Sequence, residues 1–158
     1  MIGFKKIILT TDLSENADAA TPYAIELAKK YGSELFLIHV FEDSIYYVGA
    51  VGGEALPYDP VKWLAAAHES RDKQLNALAA KLSKEHTIKV TPVMRKGQPA
   101  TEMVNFAKEQ SADCIVIATH GHTGFSRLLF GSVAEKVVRL SPCPVMSIRP
   151  KNIPAATA

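Results

Sequence analysis

Residues 113–133 read Asp113-Cys-Ile-Val-Ile-Ala-Thr119-His-Gly121-His-Thr-Gly124-Phe-Ser-Arg127-Leu-Leu-Phe-Gly131-Ser132-Val133. The run from Cys114 to Ala118 is apolar without a break, as a strand buried on both faces of a parallel sheet must be. A glycine-punctuated loop follows. A helical pattern then runs from Ser132 to Leu140, with Val133, Val137 and Leu140 on its inward face. The same alternation extends in both directions. Strands are predicted at Lys6 to Thr10, Leu35 to Val40, Ile88 to Met94 and Val145 to Arg149. A helix over about Asn16 to Tyr31 places Ala20, Tyr23, Ala24, Leu27 and Ala28 inward and stops at Gly32. Asp59-Pro60 supplies an N-cap and a first-turn proline for a helix reaching about His86. Gln98-Pro99 opens another, with Met103, Val104 and Ala107 inward.

Strands that alternate with helices form a parallel sheet with helices on both faces, an α/β fold. The third strand contains Pro92, which has no N–H for a ladder and belongs at an edge. The fifth has Ser147 between Met146 and Ile148 and lies between prolines, which suits the other edge. Right-handed crossovers then give five strands in the order 3-2-1-4-5.

The chain has 158 residues, which suits one domain, expected over 1–150 with a short frayed tail over 151–158. Lys and Arg number 18 against 16 Asp and Glu, so no basic field points to nucleic acid. No apolar run approaches the roughly 18 residues of a membrane helix, and Ile7-Ile8-Leu9 ends too soon in Thr10-Thr11-Asp12 for a signal peptide. Cys114 and Cys143 are not in CxxC spacing and read as small buried hydrophobes in a reducing cytoplasm, with a redox-sensing Cys143 as the alternative.

In this strand order the loops leaving strands 1 and 4 diverge and open a crevice at the carboxyl ends. Thr11 and Asp12 fall on one side of it and the residues from Thr119 to Gly124 on the other, with the end of strand 2 beside them. Gly131-Ser132 begins a helix whose first amides are unpaired and attract an anion. There is no lysine to make this a GxxxxGK[ST] loop. Ser132-Val-Ala-Glu135 also reads as a capping box, and Asp12 or Ser14 as an N-cap. Arg127 reads as a loop charge within reach of a phosphate. His120 and His122 have no third partner to make a metal site.

These residues resemble the universal stress protein family over nearly the whole chain. The family's nucleotide-binding pattern, G-x2-G-x9-G-[ST], is present here as Ala118-x2-Gly121-x9-Gly131-Ser132. The resemblance implies an adenine nucleotide alpha hydrolase-like, Rossmann-like fold and an ATP-binding, often dimeric, stress-response protein. It implies that Asp12 and the backbone of Val40 face the adenosine, and that Gly121, His122, Gly131, Ser132 and Val133 hold phosphates, with Thr11, Gly124 and Arg127 alongside. Ala118 stands where the pattern has its first glycine and adds a methyl group near the ribose. Any Mg²⁺ is expected on the phosphates rather than on side chains. No metal clamp or nucleophile-positioning group is apparent, so slow ATP turnover at most is expected. The fifth strand, 145–149, is an open edge suited to a homodimer. The loop 43–60, with Tyr46, Tyr47 and Tyr58, reads either as a packed connection or as a lid for a regulatory protein partner. A nucleotide-independent interaction module is the competing reading.

Overall fold

A computed structural model describes residues 3–42, 59–119 and 131–151. Its elements are β1 Lys6–Thr10, α1 Glu15–Asp18, α2 Thr21–Tyr31, β2 Glu34–Phe41, α3 Pro60–His86, β3 Val90–Lys96, α4 Pro99–Gln110, β4 Cys114–Ala118, α5 Ser132–Leu140 and β5 Val145–Ile148. The strands form one parallel sheet in the order β3-β2-β1-β4-β5, as the sequence predicts. Among the described residues no helix is long and apolar enough to cross a membrane.

The pleat explains why the central strands are apolar throughout. Ile7, Leu9, Leu35, Leu37, Cys114 and Val116 face one core layer, closed by α2 and α3. The residues between them, Ile8, Phe36, Ile38, Ile115 and Ile117, face a second layer closed by α4 and α5. Phe36 meets Phe106 of α4 edge-to-face, with ring centres 5.5 Å apart.

Three local expectations are corrected. The first helix is not continuous: α1 ends at Asp18 and α2 begins at Thr21, because Pro22 has no N–H to carry the helix ladder back across the junction. The buried stripe of α2 is centred on Ala24 and Ala28, whose small side chains let the helix sit close to the sheet. Ile25 and Leu27 flank that stripe, and Tyr23 lies outside it at 48% exposure. On α5 the inward residues are Ala134 and Val137, with Val133 partly buried, whereas Leu140 at the helix end is 54% exposed. The αL residue Gly32 ends α2, and Asp59 caps α3 by accepting from the Val61 and Lys62 amides, both as expected.

The two thiols are unpaired by disulfide, Cys114 buried and Cys143 half-buried. Burial pushes the Cys114 thiol up to about 11, with the neighbouring Cys143 adding to the shift. Burial also raises Cys143, against a hydrogen bond with Ser141 that lowers it. Both shifts disfavour the thiolate a redox sensor needs.

Two measurements check this packing. Ile115→Ala, in a site with no exposure, is expected to cost about 2–5 kcal/mol in urea unfolding. Leu140→Ala should stay within about 0.5 kcal/mol of the parent. The second concerns pH. Above 9.0 the unfolded Cys114 thiol ionises, whereas the folded one keeps its proton to about 11. Stability present below that window is therefore lost as pH rises through it. Cys114→Ala should flatten this alkaline loss relative to the parent.

Candidate functional site

β1 and β4 are neighbours, yet β1 crosses over to β2 and β4 to β5. Their exits diverge at the carboxyl edge of the sheet. At the β1 exit the Thr11 amide donates to the Ile38 carbonyl at 2.9 Å. The chain then turns through Leu13, which has φ of 62°. The Leu13 amide donates to Thr11 Oγ1 at 2.9 Å, and the Ser14 amide to Asp12 Oδ1 at 3.0 Å. The Ser14 hydroxyl donates to the same Asp12 oxygen. Ser14, not Asp12, caps α1, accepting from the Ala17 amide at 3.3 Å. Asp12 is thus half-buried and held by the turn beside it.

At the β4 exit the Thr119 amide donates to the Ile148 carbonyl at 2.8 Å. The Thr119 carbonyl accepts from the Gly131 amide at 2.7 Å, so α5 begins beside the end of β4. Gly131 has an ordinary φ of −66°. Its requirement is steric, because a Cβ there would lie 3.0 Å from the Thr119 carbonyl oxygen. Gly131 is also the N-cap of α5, and no side chain caps that helix. The expected capping box does not form: Ser132 is the first helical residue, and Glu135 pairs with Arg139. Among the described residues, the first turn of α5 therefore has no side-chain cap on its amides.

The described part of the predicted set lies along this edge. Thr11 is one residue beyond β1, and the register Leu9↔Val116 carries it level with Ala118. Val40 buries its side chain in the core, so what it can offer a ligand is backbone. Gly131, Ser132 and Val133 form the start of α5. Gly121, His122, Gly124 and Arg127 lie outside the described residues, as do His120 and residues 43–58 of the long loop.

The two sides of the edge differ in charge. Burial raises the Asp18 carboxyl above its usual range, and the charges of Asp12 and Glu15 raise it further, against Lys81. The spacing Asp12, Glu15, Asp18 was the available sequence signal for this acidic side, and the sequence reading missed it. His39, expected at the end of the second strand as a satisfied core or rim histidine, is a buried polar residue in β2 whose ring meets the Thr11 carbonyl at 2.9 Å. Among the described residues no cluster of three or more His, Cys, Asp or Glu could hold a metal ion. A separate groove of about 380 Å³ lies against α2 and β5, lined by Pro22, Tyr23, Glu26, Leu27, Lys30 and Met146, and contains none of the predicted site residues.

Comparison with known proteins follows the same outline. The model of the universal stress protein family matches residues 3–149. Universal stress protein MJ0531 of Methanocaldococcus jannaschii is 35% identical over 92% of this chain and 82% of its own length. YxiE of Bacillus subtilis is 30% identical over 92% of this chain and 99% of its own. Among solved structures, UspA from Lactobacillus plantarum superposes with a TM-score of 0.76 at 23% identity, covering 93% of this chain and 99% of that one. Two more of the same fold carry nucleotides. A universal stress protein in complex with cAMP has a TM-score of 0.65 at 17% identity, and one from Archaeoglobus fulgidus in complex with dAMP has 0.60 at 21%, each covering 94% of this chain and 99% of its own. With the family model spanning nearly all of its length, this chain belongs to the universal stress protein family.

Proposed function

We propose that this protein binds ATP in the crevice between the β1 and β4 exits and acts as a cytoplasmic stress-response switch. The observation that carries the reading is the start of α5. Gly131 brings that backbone against the Thr119 carbonyl, and among the described residues no side chain caps the helix. Such a start favours phosphate through its amides and the positive end of the helix dipole. The Gly121-x9-Gly131-Ser132 spacing agrees with a phosphate loop, and two relatives of the same fold bind the adenine nucleotides cAMP and dAMP.

In this reading the Asp12 carboxylate accepts from the ribose hydroxyls, and the Val40 backbone reads the base. Gly121, His122, Gly131, Ser132 and Val133 hold the phosphates, with Thr11, Ala118, Gly124 and Arg127 completing the wall. Mg²⁺ rides mainly on the phosphates. No described side chain is set to position an attacking water, so ATP acts as a regulatory ligand with hydrolysis slow or absent. Its binding changes the surface offered to a regulatory protein partner.

The reading includes a homodimer through β5. Within the described residues β5 pairs with β4 alone, and Val145–Ile148 has no proline or charged residue to blunt its open side. The opposite edge, β3, carries Pro92, Arg95 and Lys96 and packs against α3.

Nucleotide binding is checked by thermal unfolding with and without MgATP. At a hundredfold excess over Kd, the ligand should stabilise the parent by about 2.7 kcal/mol. Gly131→Val, which crowds the Thr119 carbonyl, should lose that gain. No shift in the parent at millimolar MgATP overturns the reading. The dimer is checked by light scattering. The Pro144 and Ile148 carbonyls point to β4, so alternation turns the Ser147 amide outward. Ser147→Pro removes that outward donor and should convert dimer to monomer.

A further inference from the structure

His39 is the polar residue in the buried part of β2, at 7% exposure in a strand whose other buried residues are hydrophobic. Its Nδ1 lies 2.9 Å from the Thr11 carbonyl oxygen. That oxygen can only accept, so the imidazole carries its proton on Nδ1 and donates.

The contact stands where the sheet ladder stops. The last rung between β1 and β2 is the Thr11 amide to the Ile38 carbonyl. In a continued parallel ladder the Thr11 carbonyl would next accept from the Val40 amide. Among the described residues it accepts from the His39 ring instead. The substitution has two effects. It lets β1 turn away from β2 at once, into the turn where Leu13 takes a φ of 62° that a leucine rarely adopts and where Ser14 holds the Asp12 carboxylate. It also leaves the Val40 amide on the β1 side of its strand without the Thr11 carbonyl as partner.

We propose that His39 is a positioning residue for the crevice: by taking over the Thr11 carbonyl it presets the Asp12 turn and reserves the Val40 amide for the ligand. The geometry stands by itself; the identity of the ligand as an adenine nucleotide rests on the function proposed above.

The test combines NMR of the ¹⁵N-labelled protein with MgATP titration calorimetry on the parent, His39→Leu, His39→Asn and His39→Gln. In the parent, imidazole ¹⁵N correlations should show the Nδ1–H tautomer. His39→Leu should move the Leu13, Ser14 and Val40 amide resonances and weaken MgATP by about tenfold, the loss of one buried hydrogen bond. Asn, whose amide nitrogen sits near the place of Nδ1, should restore affinity to within about threefold, whereas Gln should not. A parent ring protonated on Nε2 with bare Nδ1 overturns the proposal. So does a folded His39→Leu with unmoved amides and parental affinity. If His39→Leu does not fold, the parent tautomer and the Asn–Gln contrast decide. A parent that binds no nucleotide sinks the ligand reading, and the tautomer and amide shifts still decide the positioning role.

Discussion

A parallel sheet has no spare face. Each strand of the centre must satisfy two apolar layers at once, and β1 is the tightest case: Ile7, Ile8 and Leu9 are almost fully enclosed between β2 and β4 and between two pairs of helices. Everything polar that this domain uses is therefore pushed to the carboxyl edge, where strands stop and turns begin. The acidic β1 exit and the amide-rich start of α5 occupy that edge because β1 and β4 are each paired on both sides along their length. A near-neutral chain can in this way present an anion-favouring surface that a count of lysines and arginines does not reveal.

Much of this was legible in the residues, for reasons that can be named. The central strands announce themselves because double burial forces unbroken apolar runs, and Pro92 marks an edge because it lacks a donor. Gly32 and Asp59 mark helix ends by their own backbone and side-chain chemistry. What was less legible depends on approach distances. Tyr23 has the right spacing to point inward, but the close seat of Ala24 and Ala28 on the sheet turns it out. Ser132 and Glu135 have the spacing of a capping box, yet the Thr119 carbonyl draws Gly131 into the cap position and leaves Ser132 inside the helix.

The site divides along the same line. Gly131 can be picked out from its spacing to Gly121, but the reason for a glycine, a carbonyl 3.0 Å from where a Cβ would sit, is a tertiary fact. His39 has no local signal beyond being polar in an apolar strand. Its partner is 28 residues away in sequence, and only the parallel pairing of β1 and β2 brings the two together.

The bond between Thr119 and Gly131 has a further consequence for how such a domain can diversify. Because Thr119 and Gly131 are fastened to each other at 2.7 Å, the end of β4 and the start of α5 are held together across the interval of sequence between them. Lengthening that interval is expected to leave the register of β4 with β5 and the docking of α5 in place, since loop-closure entropy in general grows by only about 0.6 kcal/mol per doubling of length. The fold thus separates inheritance into two compartments: a sheet that tolerates little change, and an interval of sequence between two fastened ends that can vary in length without renegotiating the core.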